Sequence, residues 1–262
     1  MISRARTGGG GMLKSIQGLF GLALATALVA AGAGRAEAAA AAAHPDFSGL
    51  YGNYADPGAP QVPRGTPQPE LPFKSAAKAK VDEYQSLVSP LGETPGAYCL
   101  GTGMPGAMLG SGAYPMEIIQ RPDQIIAIYE LHTDVRHFYF GARIVPTADR
   151  VVDRDGISSA HWEGDTLVVE TDNLKEQVDQ RYAHSANARI VERYHFGKGD
   201  KGQKILVAEM TMTDPDFYTQ PVTTTKKWSL IPNGHLMPYD CNEEAWINRL
   251  EALRKAKAGA KG

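Results

Sequence analysis

One basic residue lies on a strand face that is otherwise apolar, which makes it a strong candidate for chemistry. Residues 124–132 and 135–144 alternate like two strands, and Thr133-Asp134 suits a tight turn between them. In such a hairpin, odd positions before the turn share a face with even positions after it. On that shared face Arg136 lies among apolar neighbours. These are Ile125, Ala127, Tyr129, Leu131, Phe138, Phe140 and Ala142.

An acidic residue has the same setting further along the chain, where Glu192 alternates with Ile190, Tyr194 and Phe196. A buried charge without a partner is so costly that inward-facing Arg136 and Glu192 must be paired or used. Two interpretations stay open. The pair could be structural and fix the strand register. Alternatively, Arg136 could hold an anionic or carbonyl oxygen while Glu192 acts as a desolvated base, with Tyr129, Tyr194 and His184 lining the same cavity.

Other chemistry-bearing patterns give weaker predictions. Residues 101–106 match G-x-G-x-x-G, but Pro105 and loop-like flanks exclude the strand and helix that a dinucleotide site requires. Glu130, His132, His137 and Tyr139 share the outer hairpin face, where two His and a carboxylate could hold a metal. A partly solvated barrel surface explains them more simply. We therefore expect no cofactor and no metal.

The surrounding elements indicate a mainly β fold. Short strands with period-2 alternation recur from residue 116 to 231, and a first short strand begins near Gly49. Eight or nine strands in meander order favour an antiparallel up-and-down barrel, similar to lipocalins, with an N-terminal helix from Ser75 to Val88 and a C-terminal helix from Asn242. We predict a signal peptide over 1–38, a first strand and Pro-rich linker over 39–74, and a barrel domain with flanking helices over 75–262.

The N-terminus predicts export. Basic residues precede an apolar run from Ile16 to Ala33, and Ala36-Glu37-Ala38 has the small-x-small pattern of a cleavage site, whether Met1 or Met12 is the start. The part after residue 38 would hold 23 Lys and Arg against 28 Asp and Glu, a net charge of −5. This balance disfavours nucleic acid as a partner, and no membrane span is expected after cleavage. We expect a periplasmic or secreted protein.

The chain has two cysteines, Cys99 and Cys241. In an oxidising compartment, an isolated pair far apart in sequence most often forms one disulfide, which we predict here. Two free thiols, or a nucleophilic Cys, are the alternatives.

These motifs together resemble a large family of exported, mostly uncharacterised bacterial proteins. The hairpin segment Trp162-Glu163-Gly164-Asp165-Thr166-Leu167-Val168-Val169 looks like its most specific signature. The resemblance marks signature positions at Cys99, Glu130, Arg136, Tyr139, Arg143, His184, Glu192, Arg193 and Cys241. Two departures are His137, where a second Arg is usual, and Gly141-Ala142, where Asp-Gly often precedes the Arg. The resemblance implies no activity, and the looser likeness to lipocalin-type barrels is an analogy of fold.

The residues favour an exported, cofactor-independent lyase or isomerase that abstracts a proton from a small apolar or aromatic molecule. Glu192 or Glu130 would be the base, Arg136 would stabilise an oxyanion, and His184 would assist. Side chains expected to bind the ligand are Tyr129, Phe138, Tyr139, Arg143 and Tyr194. The alternatives are a non-catalytic small-molecule-binding barrel and an envelope protein without a ligand. The sequence leaves the substrate and the oligomeric state open.

Overall fold

Nine strands form a closed barrel in chain order, with β1 hydrogen-bonded to both β2 and β9. The computed structural model describes residues 44–58, 70–110, 114–239 and 244–259. The predicted signal peptide, most of the Pro-rich linker and Cys241 lie outside these residues. The strands are β1 Gly49–Asn53, β2 Met116–Arg121, β3 Gln124–Tyr129, β4 Asp134–Tyr139, β5 Ile157–Glu163, β6 Thr166–Asp172, β7 Arg189–Lys198, β8 Lys204–Thr213 and β9 Val222–Leu230.

The predicted barrel is therefore confirmed, but its expected all-antiparallel pairing is wrong at one seam. Strands β4 and β5 run parallel, and they pair only at Phe138–Ser158 and Tyr139–Ser159. Parallel neighbours need a long crossover connection, whereas antiparallel neighbours can be joined by a short hairpin. Residues 140–156, with two single 3₁₀ turns but no strand, carry the chain back so that β5 begins beside the last residues of β4. This is the shortest pairing between neighbouring strands in the barrel.

The β3–β4 connection also differs from the prediction. Strand β3 ends at Tyr129, and a 3₁₀ turn occupies Leu131–Thr133. His132 and Thr133 in this turn have positive φ values of 62° and 55°. Leu131 therefore lies in the turn and not on the inward strand face where it was expected. Phe140, which follows β4, is only half-buried and packs against the barrel core.

The first strand belongs to the barrel wall, although the sequence analysis grouped residues 39–74 with the linker. Gly49 is paired with Ile118 of β2, and Asn53 with Trp228 of β9. Strand β1 is thus the element that closes the barrel, so the folded domain begins before residue 75.

Within the described ranges, three α-helices accompany the strands: α1 Ser75–Val88, α2 Gly106–Leu109 and α3 Glu244–Gly259. The single-turn helix α2 brings Met108 into the barrel core. Tyr84, Leu87 and Val88 of α1 form a second buried cluster with Leu100 and with Trp246 of α3. The C-terminal helix thus packs on α1 and on the segment around Leu100. Within the described part of the chain, no helix combines the length and apolar character needed to cross a membrane.

Candidate functional site

The predicted Arg136–Glu192 pair lies inside the barrel. Arg136 is opposite Ala127 in the β3–β4 register, and Glu192 is opposite Val169 and Met210. The guanidinium binds the carboxylate through two contacts, Nη1 to Oε1 at 3.1 Å and Nη2 to Oε2 at 2.6 Å. Both side chains are buried, with exposed fractions of 1% and 0%. The two interrupted apolar faces therefore meet, as their patterning predicted.

Neutral hydroxyl groups complete this ion pair. Arg136 Nη2 also donates to Thr171 Oγ1 at 3.1 Å and contacts Ser158 Oγ at 3.3 Å. Tyr194 donates its hydroxyl proton to Glu192 Oε1 at 2.8 Å. The same hydroxyl lies 3.4 Å from Met108 Sδ, but its single proton goes to the carboxylate, which is the stronger acceptor.

Arg136 is held in its charged form. Burial acts to lower the pKa of Arg136, but the charge and hydrogen bonds of Glu192 outweigh it and raise that pKa well above its usual value. Burial, together with the charge of Glu192, raises the pKa of Tyr194 well above its usual value, which keeps its hydroxyl protonated. Each Glu192 oxygen already accepts a short hydrogen bond. Glu192 is thus poorly placed to act as the free base that the sequence suggested.

A cavity of about 170 Å³ lies beside the ion pair, at the seam where β4 and β5 pair over two positions. We call it the seam cavity. Its lining includes Arg136, His137 and Tyr139 from β4, together with Asp155 and Ser158 from the β5 side. Because the strands diverge below Phe138, residues of both barrel faces reach this opening.

Three residues of the seam cavity carry a buried polar atom without a hydrogen-bond partner in the protein. They are Nε of Arg136, Nδ1 of His137 and Oδ1 of Asp155. An unsatisfied buried polar atom costs about 1–3 kcal/mol, so native proteins rarely keep several together without a use. A cationic donor, an imidazole and a carboxylate are thus available at one opening.

Two aspartates near the seam, Asp155 and Asp134, have raised pKa values. Burial raises the pKa of Asp155 to about 6, while the nearby charge of Arg136 acts in the opposite direction. Burial raises the pKa of Asp134 to about 7, and the charge of Asp155 adds to this shift. Both groups therefore change protonation near neutral pH, as a general acid or base requires.

Several predicted site residues lie elsewhere. Glu130 accepts a hydrogen bond from the Met237 backbone amide at 2.7 Å, and so holds the C-terminal segment to the β3–β4 turn. His184 is buried between the carbonyl oxygens of Met104 and Ser185, and hydrogen-bonds to neither member of the ion pair. Arg143 pairs with Asp123 on the surface, and its guanidinium lies 5.7 Å from the ring of Tyr139.

The predicted aromatic residues divide between the two barrel faces. Tyr129, Phe138 and Tyr194 lie inside, where the guanidinium carbon of Arg136 is 4.8 Å from the centre of the Phe138 ring. The buried Tyr129 hydroxyl lacks a hydrogen-bond partner, and burial raises its pKa to about 12. Tyr139 stacks on His137 on the other face, with ring centres 5.6 Å apart. Of this set, only Tyr139 lines the seam cavity.

Sequence reasoning missed Asp155, Ser158 and Thr171. Ser158 and Thr171 alternate with apolar residues on inward faces of β5 and β6, which is the signal that could have found them. Asp155 precedes Gly156, which has φ of +68°, so the pair reads from sequence only as a turn. Its place beside Arg136 depends on the crossover, which local patterning does not reveal.

The described residues contain no group of three or more His, Cys, Asp or Glu side chains suited to a metal ion. No described cysteine is free. Because Cys241 lies outside the described residues, the bond between Cys99 and Cys241 stays a prediction.

Comparison with protein-family models, curated proteins and solved structures found no match to this chain. The resemblance to an exported bacterial family therefore stays a hypothesis, based on the motifs quoted above.

Proposed function

We propose that the protein is a cofactor-independent enzyme of the lyase or isomerase type, which transfers a proton on a small molecule bound in the seam cavity. The observation that carries this proposal is that Arg136 and Asp155 line the same cavity, and that each has a buried polar atom, Nε and Oδ1, without a hydrogen-bond partner. A base and a hydrogen-bond donor at the same opening are the minimum set for removing a proton next to a carbonyl group.

In this mechanism Asp155 replaces Glu192 and Glu130 as the base. Its carboxylate accepts the substrate proton, and the Nε–H of Arg136 donates a hydrogen bond to the oxygen on which negative charge develops. Glu192 already balances the charge of Arg136, so its role is to fix the direction of that N–H bond. A cavity of about 170 Å³ corresponds to roughly six water volumes. The reacting fragment is therefore small.

The test compares Asp155→Asn with Asp165→Asn. Asp165 lies exposed in the β5–β6 turn and serves as the matched control. Proton exchange from small ketones and hydroxylated aromatic compounds is followed by NMR in deuterated buffer. We expect wild-type exchange to rise with pH around pH 6, as Asp155 ionises, and to fall about 100-fold or more in Asp155→Asn. Equal exchange rates in wild type and Asp155→Asn would contradict the proposal.

A non-catalytic binding barrel is the second candidate. It is favoured by the buried ion pair, because Arg136 and Glu192 balance each other and neither charge is free to act on a substrate. A ligand that binds wild type and Asp155→Asn equally well, without exchange or turnover, would support this candidate over the enzyme.

We also propose export to the periplasm or medium, with a disulfide between Cys99 and Cys241. The support is the N-terminal signal pattern and the isolated cysteine pair in the sequence.

A further inference from the structure

A second cavity, of about 390 Å³, lies outside the barrel, beside the β3–β4 turn. We call it the turn cavity. Helix α1 contributes Tyr84, the turn contributes His132, and Thr102 and Tyr239 come from two further segments. Its volume falls within the range of about 300–1,000 Å³ that is usual for small-molecule sites.

The turn cavity also carries buried polar atoms that lack a hydrogen-bond partner. These are the Tyr84 hydroxyl and Thr102 Oγ1. The ring nitrogens of His132 are buried too, and make at most a weak contact with the Gly96 backbone. These atoms have already lost their contact with water. A ligand that hydrogen-bonds to them after small side-chain rotations would therefore recover a cost that the free protein bears.

The backbone of the turn is held in a strained shape. His132 and Thr133 both adopt left-handed conformations that non-glycine residues rarely use. Two contacts clamp the turn to the C-terminal segment. Glu130 accepts a hydrogen bond from the Met237 amide at 2.7 Å, and Thr133 Oγ1 donates one to the Tyr239 carbonyl at 3.1 Å. Strain of this kind tends to accompany binding sites, because the surrounding structure must maintain it.

The charged groups of the turn cavity are already paired within the protein. Glu93 binds Arg249, with a shortest distance of 2.8 Å, and Asp179 binds Arg154 at 2.9 Å. Burial lowers the pKa of His132, so its ring is neutral near pH 7, and burial raises the pKa of Tyr84, so its hydroxyl keeps its proton. The cavity thus offers neutral donors and acceptors.

An aromatic and apolar edge completes the site. The ring centres of His132 and Tyr239 are 5.1 Å apart in an edge-to-face arrangement, and Val88 and Leu131 also line the cavity. We propose that the turn cavity binds an uncharged small molecule that combines hydroxyl groups with an aromatic ring, separately from the chemistry at the seam. Tyr84, Thr102 and His132 would bind its hydroxyl groups, and Tyr239 would contact its ring.

The test uses phenyl β-D-glucoside as the uncharged probe and phenyl β-D-glucuronide as its carboxylate counterpart, each titrated into the full exported chain by calorimetry. We expect the glucoside to bind with a Kd of about 1 mM or tighter. The glucuronide should bind at least tenfold more weakly, because the described side chains that line the cavity include the carboxylates of Glu93 and Asp179 and no Lys or Arg. Undetectable glucoside binding, or tighter binding of the glucuronide, would overturn the proposal.

Variants locate the binding. Tyr84→Phe should weaken glucoside binding about tenfold. Its thermal midpoint should stay unchanged or rise, because the hydroxyl has no partner in the free protein. His132→Asn should have a similar effect on binding, since Asn tolerates the left-handed backbone. The matched control is Tyr54→Phe, which removes a hydroxyl that bonds Asp200 and does not line the cavity, and should bind normally.

Asp155→Asn separates the two proposals. Glucoside binding should be unchanged in this variant, even where proton exchange at the seam is lost. If Asp155→Asn abolishes glucoside binding, or Tyr84→Phe and His132→Asn both leave it intact, the ligand lies outside the turn cavity and the inference is wrong.

Discussion

At the residue scale, Arg136 and Glu192 balance each other's charge inside the barrel, and three hydroxyl groups complete the pair. The apolar neighbours of Arg136 and Glu192 were enough to place both side chains inside the barrel, because hydrophobic partition fixes which strand face is buried. Of the hydroxyl groups that complete the pair, that of Tyr194 shares a strand face with Glu192. Those of Ser158 and Thr171 come from β5 and β6, so no local pattern links them to Arg136. The inward orientation of the two charged side chains was therefore predictable. Whether they pair with each other or bind a ligand was left open by the sequence.

Removing one member of the pair should destabilise the protein more than removing both. Arg136→Met or Glu192→Leu alone leaves a buried uncompensated charge, which should cost about 3–5 kcal/mol of unfolding free energy. The double variant removes both charges, so its unfolding free energy should be well above that of the less stable single variant. Urea denaturation of the four proteins measures this coupling. Strictly additive losses would show that the two side chains do not stabilise each other.

The seam carboxylates should make stability fall as pH rises through neutrality. Folding raises the pKa of Asp155 to about 6 and that of Asp134 to about 7, from the ordinary value of 3.8. Between these pKa values the folded chain holds protons that the unfolded chain has released. The contribution of the two carboxyl groups to the unfolding free energy is therefore fully present below about pH 4, and it is lost progressively as the pH rises to about 7. The two shifts together correspond to a loss on the order of 7 kcal/mol.

Urea denaturation at several pH values checks this, with Asp134→Asn/Asp155→Asn as the comparison. The difference in unfolding free energy between the variant and wild type isolates these two groups from the other titrating residues. That difference should grow between pH 4 and 7, and a constant difference would refute the assigned shifts.

At the element scale, the seam explains why the meander prediction was incomplete. Period-2 alternation identifies strands but not their direction, and residues 140–156 read equally well as a long hairpin loop. The crossover makes β4 and β5 parallel, leaves most of their facing edges unpaired and opens the seam cavity. The proposed catalytic site thus arises from a connection whose strand direction the sequence patterning assigned wrongly.

Two glycines with similar backbone angles should respond differently to alanine. Gly156 enters the seam at φ +68°, and an added Cβ would lie 2.5 Å from the Asp172 carbonyl oxygen. Gly164 has φ +60° in the β5–β6 turn, and nothing lies within 4 Å of its Cβ position. Both substitutions carry the left-handed backbone cost of about 1 kcal/mol, but Gly156→Ala adds a steric clash. We expect it to be the less stable variant by about 1–3 kcal/mol, measured by thermal unfolding. Equal midpoints would contradict the crowded geometry at the seam.

At the scale of the whole molecule, the barrel was predictable because each strand repeats one simple signal. The helices Ser75–Val88 and Glu244–Gly259 also match their predicted positions closely, since both carry amphipathic stripes. The two cavities were not predictable. Each is built where segments distant in sequence meet, around residues such as Asp155 and Thr102 that look like ordinary loop residues.

The last prediction concerns the link between the central loop that contains Cys99 and the C-terminal segment. A disulfide between Cys99 and Cys241 would join the segment before α2 to the segment before α3. Closing so long a loop should stabilise the folded state by about 4 kcal/mol, by restricting the unfolded chain. Thiol titration of the denatured, unreduced exported protein should find no free thiol, and reductant should lower the urea midpoint. The Cys99→Ser/Cys241→Ser variant should show this lower urea midpoint both with and without reductant. Two reactive thiols in the unreduced protein would show that the bond is absent.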